Sequence, residues 1–274
     1  MPAEFGVTLD LAPFRGRIDP DYNASFILDA IKDCSALLRL PTCQILEESR
    51  NRVGVVRIPL DREKEVALVI KEFRTQGVDR LKSGFQSSKA HRAWTGSRAL
   101  IEAGLRTPRP VAYIEKKGVL FLQQSFFLSE YLPGLREIRF LFRELSPDAV
   151  AGLIQELAVY LGRCRRAGIL HRDLSDGNIL VKKVADERHL FFLLDTNRIR
   201  VMKKIGVLRG IKSVIRLGLP RHFRRSFLAG FLEKSSVGRG LWLWYRINKA
   251  AYTGLVNFRK ALRLKKIAQK LKVQ

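Results

Sequence analysis

Three cysteines in 274 residues, none of them in a CxxC pair, leave this chain without a disulfide framework or a zinc site. Cys34, Cys43 and Cys164 are odd in number and far apart, which suits buried or idle thiols in a reducing compartment. Long apolar runs are missing as well. The richest stretches, GVLFLQQSFFLSEYL and GLWLWYRINKAAYTGLV, are interrupted by polar or charged residues and fall short of the roughly 20 residues that span a bilayer. The opening MPAEFGVTLDLAPFRGRIDPDYN has early acids and no apolar core, so no signal peptide is expected. No internal repeat or low-complexity block is present.

Acids are scarce in one region above all. Residues 201–274 hold nineteen Lys or Arg against a single acid, Glu233, and so carry +18 of the net +25. Such a basic quarter points to a polyanionic partner: nucleic acid, anionic lipid or a phosphorylated glycan. The hydrophobic fraction of 46% is ordinary for a globular protein, and the length allows one large domain or two modest lobes.

The order of elements narrows the fold. Segment 23–34 suits a short helix. CQILEES, RVGVVRIPL and EVALVIKEFR are rich in β-branched residues and suit strands. SSKAHRAWTGSRALIEAGL has helical spacing and stops near Gly104. PVAYIEKKGVLFLQQSFFLSEYL suits a hairpin turning at KKG, and LPGL marks a lobe boundary. Ser146-Pro147-Asp148 then opens a helix with a hydroxyl cap, a proline at the first helical position and an acid. Val150, Leu153, Ile154, Leu157 and Leu161 continue it, and Gly168 ends it. NILVKKV and HLFFLLD suggest two strands joined by ADER, and the remainder is helical and basic. An α+β protein is expected, with a β-rich N-lobe, a mostly helical C-lobe and a cleft between them. The expected divisions are an extension over 1–35, an N-lobe over 36–133 and a C-lobe over 134–274.

The stretch HRDLSDGNIL, residues 171–180, directly follows the capped helix and precedes a strand. Phosphoryl transfer relies on positioning and charge neutralisation, and residues for each role are present. Asp173 can accept the proton of an acceptor hydroxyl. Asn178, five positions on, can serve as a neutral metal ligand, and Asp195 at the end of HLFFLL as a charged one. Lys71 ends VALVI, the pattern of the strand lysine that grips nucleotide phosphates. His171 suits support of the loop backbone. A lysine or aspartate ending a strand is, taken alone, most often a solvated end or a turn former. The four in this order, each on a suitable element, point to phosphotransfer.

On these residues the chain resembles the protein-kinase-like superfamily, and more narrowly the bacterial lipopolysaccharide core kinases that act on Kdo and heptose. SSKAHRAWTGSRALIEAGLRTPRPVAYIE is similar to that family's helix and following "GIPTPxP" turn, and FFLLDTNRIR stands in place of its "LIDxDR" stretch. The resemblance covers about residues 45–235. It implies a two-lobed protein-kinase-like fold and ATP and Mg²⁺ as cofactors. Asp173 would be the base, Lys71 the ATP-phosphate lysine, and Asn178 and Asp195 the Mg²⁺ ligands. The implied acceptor is a sugar hydroxyl of the lipopolysaccharide inner core.

The departures are informative. Ser175 stands where protein kinases have lysine, Asp195-Thr196-Asn197 replaces Asp-Phe-Gly, and no Ala-Pro-Glu follows. A small or glycan acceptor suits this better than a protein, although an atypical RIO-like protein kinase would use the same four residues. An aminoglycoside or choline kinase fits poorly with a basic surface. The glycine-rich loop shrinks to Gly54, the remaining candidate for phosphate contact, and Ala93 occupies the region of the usual helix glutamate. Either another acid orients Lys71 or the site is less constrained, and a non-catalytic binding module stays open as an alternative. For the basic C-terminal part the choice lies between a solvated face of a docked helix and an anionic membrane surface. Peripheral association with the inner face of the bacterial inner membrane, in the cytoplasm, is the expectation. Nucleic acid is set aside, because no binding module or stacking motif accompanies the charge. The oligomeric state is not legible.

Overall fold

The computed structural model describes residues 6–61, 63–74, 87–118, 121–184 and 188–271, with the side chains of 263–271 left out. The chain divides into two compact units. The first is Met1–Leu135 with Phe192–Val201, and the second is Arg136–Phe191 with Met202–Gln274.

The first unit is built on a seven-stranded sheet. Strands β1 (Val7–Leu11) and β2 (Phe14–Ile18) form a hairpin, followed by helices α1 (Ser25–Ile31) and α2 (Cys34–Leu37). Then come β3 (Gln44–Glu48), β4 (Asn51–Pro59), β5 (Glu65–Phe73), α3 (Lys89–Glu102), β6 (Pro110–Lys117) and β7 (Leu122–Glu130). The spatial order is β1-β2-β6-β7-β5-β4-β3, with each neighbouring pair antiparallel. The helix expected over 23–34 is split. Asp33 accepts a hydrogen bond from the Ala36 amide at 2.8 Å and so starts a new turn, α2, instead of continuing α1. The hairpin β1–β2, unforeseen in the sequence, adds to the sheet by pairing β2 with β6.

Alternation along β5 explains its two roles. Leu68 and Ile70, both fully buried, enter a core with Ile27, Ile31, Ile58 and Phe126, each such side chain contributing roughly 2 kcal/mol. Lys71 and Phe73 point to the other face, where Phe73 packs with Ala90, Ala93 and Trp94 of α3. α3 starts on Ser88, whose hydroxyl accepts from the His91 amide at 2.9 Å.

The second unit comprises β8 (Arg136–Glu137), α4 (Ile138–Glu144), α5 (Pro147–Arg166), β9 (Ile169–His171), β10 (Ile179–Lys183), the first three residues of β11 (His189–Leu193), α6 (Val207–Val214), α7 (Arg224–Leu232) and α8 (Arg239–Leu271). α5 begins as its sequence suggests, with Ser146 capping Ala149 and Pro147 in the first turn. It ends in Arg163, Arg165 and Arg166, which complement the negative end of the helix dipole. Leu153, Ile154, Leu157 and Leu161 make its buried face, and α7 supplies Phe227, Leu228 and Phe231 to the core. The α+β class is the expected one. Residues 119–120 of the hairpin turn, 185–187 of the ADER connection and 272–274 lie outside the described residues. Among the described residues no helix is long and apolar enough to cross a membrane.

Candidate active site

Lys71 sits in the interior of the sheet, opposite Val53 on β4 and Phe127 on β7. Its ammonium lies over the Phe73 ring at 5.4 Å and forms an ion pair with the carboxylate of Asp195. Both side chains are shielded, with 18% and 33% of their surface exposed, so the attraction is screened less than at an open surface. The sequence left open which acid would orient Lys71; it is Asp195. Glu102, the nearest helix acid, pairs instead with Arg98 at 3.7 Å, and Glu72 pairs with Arg74 at 3.4 Å.

The backbone at Asp195 adopts the left-handed conformation, with φ 52° and ψ 44°, which aspartate tolerates better than most residues. Its neighbours hold it there. The Thr196 hydroxyl, buried, donates to the Ala93 carbonyl at 2.9 Å and bonds the Ser97 hydroxyl at 2.9 Å. A Cβ on Gly96 would sit 2.1 Å from the Thr196 carbonyl oxygen. Alanine, glycine and serine at positions 93, 96 and 97 therefore let the turn Thr196–Arg198 lie directly on α3. The segment before it is tied by Thr107, whose hydroxyl donates to the Leu193 carbonyl at 2.8 Å, and by the Leu193 amide, which donates to the Arg106 carbonyl at 3.0 Å. In place of a helix glutamate bonding the lysine, α3 holds the loop that carries the lysine's partner.

The catalytic-loop candidates fall in the second unit. Buried His171 accepts the Asp173 amide on Nδ1 at 3.2 Å, which places the imidazole in backbone support. Asn178 donates from Nδ2 to the Asp173 carbonyl at 2.8 Å. The spacing of five is thus a closed turn: the carboxamide nitrogen locks the loop, and its oxygen is left as the ligand atom. Leu174 and Ile179, both buried, anchor the loop from below. The Asp173 carboxylate is bonded by the guanidinium of Arg216, a residue the sequence reading did not select.

Gly54 occupies the middle of β4, paired with Ile70 and with Ile45. A Cβ there would meet Cys43 Sγ at 2.5 Å and Leu38 Cδ2 at 2.9 Å, so packing alone requires glycine. The structure thus joins Lys71 to Asp195 and Asp173 to Asn178. The Asp195 carboxylate and the Asn178 carboxamide oxygen are each hard donors of the kind Mg²⁺ prefers, and the shielded ammonium beside Asp195 suits a polyphosphate, so the residues of each unit, taken separately, suit Mg²⁺ and ATP. Thr196, Ser97 and Thr107 were also missed, since hydroxyls that brace a loop carry no spacing signal of their own.

Residues 66–205 match the profile of the lipopolysaccharide kinase (Kdo/WaaP) family. The 3-deoxy-D-manno-octulosonic acid kinase of Vibrio vulnificus (strain YJ016) is 28% identical over 117 residues, 39% of this chain and 46% of that relative. Its counterpart from Vibrio vulnificus (strain CMCP6) is 30% identical over 118 residues, 42% of this chain and 47% of the relative. The matched stretches span about half the length of these relatives. A solved structure of WaaP in complex with acyl carrier protein aligns with TM-score 0.54 and 21% identity, over 84% of this chain and 91% of that one, and so shares the fold. The family profile covers more than half of the residues, including Lys71, Asp173, Asn178 and Asp195, and the chain belongs to the lipopolysaccharide kinase (Kdo/WaaP) family.

Proposed function

We propose that the protein transfers the γ-phosphate of ATP to a sugar hydroxyl, on Kdo or heptose, of the lipopolysaccharide inner core. The observation that carries this reading is the shielded Lys71–Asp195 pair, a phosphate grip and a metal ligand joined across 124 positions of sequence. Lys71 holds the non-transferred phosphates by charge. Asn178 and Asp195 hold Mg²⁺, which when bound neutralises phosphate charge and orients the triphosphate. Asp173 takes the acceptor's hydroxyl proton on its carboxylate, with His171 and Asn178 fixing the backbone on either side of it. The direct test is mass spectrometry of core glycolipid from cells with and without the gene. Loss of one phosphate supports the reading, and an unchanged glycolipid overturns it. A labelled protein band on incubation with ATP and cell extract would favour a protein kinase instead.

We also propose that the protein works while resting on an anionic membrane surface through α8. Buried Tyr245 lies on the inner face of this helix, whereas Leu243, Ile247, Leu255, Phe258 and Leu262 are 43–62% exposed. At 100° per residue these five fall within an arc of about 120°. Arg246 and Arg259, both exposed, flank the arc on its two sides. An apolar stripe edged by cations in a +18 segment suits insertion at the headgroup level of anionic lipid.

A further inference from the structure

Arg216 has no part in the chemistry above, yet its guanidinium bonds the proposed base. A donor there is a handicap for proton abstraction, because it occupies a carboxylate oxygen that must meet the acceptor hydroxyl. The fold nevertheless fixes it in place. Along residues 215–219, Ile215, Leu217 and Leu219 are buried at 5% exposure or less, with Arg216 and Gly218 exposed between them. Ile215 and Arg216 form a turn that closes α6, with the Leu217 amide donating to the Val214 carbonyl at 3.2 Å, and positions 216 and 218 both face the catalytic loop. Arg216 reaches Asp173, and a Cβ on Gly218 would lie 2.6 Å from an Asp176 carboxylate oxygen.

Three successive inward positions of this segment have their carbonyls gripped by cations. Lys249 of α8 donates to the Ile215 carbonyl at 2.6 Å and the Leu217 carbonyl at 2.8 Å, while Arg224 donates to the Leu219 carbonyl at 3.0 Å. Tyr252, one turn after Lys249, lies under both the Arg216 guanidinium at 5.6 Å and the Lys249 ammonium at 5.8 Å. Arg216 and Asp173 stay accessible, with 42% and 34% of their side chains exposed.

We infer that Arg216 forms an oxyanion subsite beside Asp173 that takes an acidic group, carboxylate or phosphate, of the acceptor. This rests on the phosphotransfer reading above. One guanidinium nitrogen engages Asp173, and the planar fork has further N–H groups suited to a second oxyanion. An acceptor anion bound there draws on the same guanidinium, loosens its hold on the Asp173 oxygen and brings the neighbouring hydroxyl to that oxygen. A neutral acceptor leaves the base pinned. A cationic one is repelled by the Arg216 guanidinium.

The test uses the full chain with ATP, Mg²⁺ and three acceptors: a lipid A precursor bearing Kdo, its Kdo methyl ester, and the same glycolipid without lipid phosphates. The wild type is expected to lose about 10- to 100-fold in kcat/KM on whichever acceptor lacks the recognised anion, the worth of a charge-assisted hydrogen bond. That acceptor identifies carboxylate or phosphate as the source. Arg216→Ala should suffer a similar loss on the intact acceptor, through the acceptor KM with the ATP KM unchanged, and no further loss on the neutralised one. Arg216→Lys should restore part of the preference. Equal loss on all acceptors would make Arg216 a mere brace for Asp173, and a gain on all would make it a brake; either result overturns the subsite. Calorimetry with free Kdo and with inorganic phosphate is independent of turnover. Binding to the wild type that Arg216→Ala abolishes supports the subsite even if no glycolipid is phosphorylated, and no difference between the two proteins refutes it.

Discussion

Asp195 and Asp173 are each bonded by a cation, and the two cations come from different kinds of sequence. Lys71 lies at the end of an apolar strand whose form announces it, and it reaches Asp195 inside the first unit. Arg216 lies in the turn that closes α6 in the second unit, with no motif around it, and it reaches Asp173. The first pair is built into a sheet and one helix, the framework that nucleotide chemistry demands. The second is built on a segment held by its carbonyls, where a different acceptor would need a different side chain.

This contrast is best tested by breaking each pair. The largest effect is expected from Asp173→Ala, which should lower kcat by about 100- to 10,000-fold while ATP affinity, measured by calorimetry, stays near the wild-type value. Lys71→Met should follow, with kcat/KM for ATP about 100-fold lower and the acceptor KM little changed. If Lys71→Met altered acceptor KM as much as it altered ATP use, the division of labour would be wrong. Gly96→Ala should destabilise the protein by about 1–3 kcal/mol in thermal unfolding, since the new methyl must displace the turn beside Asp195. Gly152→Ala on α5, where a Cβ meets nothing within 4 Å, should leave stability unchanged or raise it. Flotation with anionic vesicles should retain the wild type at low salt and release it at high salt. Leu243→Asp with Phe258→Asp should weaken retention at both salt concentrations.

The smallest effect concerns pH. Burial, and then the charge of Arg224, lower the Lys249 ammonium to about 8. The folded protein releases this proton near pH 8, whereas the unfolded chain keeps it to about 10.5, the ordinary lysine value. Between those limits the unfolded state binds more protons, so this group's contribution to stability rises with pH across the window and falls as pH drops through 8. NMR of isotope-labelled lysine should show one resonance titrating well before the rest, and Lys249→Met should remove it.

Much of this was legible beforehand. Lys71, Asp173, Asn178 and Asp195 stood out through their order and spacing rather than singly, and the structure joins them as two pairs, Lys71 with Asp195 and Asp173 with Asn178. The strands of the sheet, the capped start of α5 and the basic surplus of the last quarter were legible for local reasons. The hairpin β1–β2 was not, since its VTLDL and FRGRI strands are short and gain stability only by joining β6. Nor was Arg216: I-R-L-G-L alternates, but alternation does not say what the outward side chain faces. The exposed arc of α8 was hidden because apolar and cationic residues interleave in one dimension and separate only around a helix. Gly54 was assigned to phosphate contact by analogy, whereas its neighbours Cys43 and Leu38 give it a separate steric reason.

The segment bearing Arg216 has a further implication for how such enzymes diversify. Its fixed parts are three buried aliphatic residues and three tethered carbonyls, none of which depends on which side chain occupies position 216. Evolution, or an engineer, can therefore exchange that one outward residue without disturbing the backbone that presents it, and on the subsite inferred above such an exchange would move acceptor range alone.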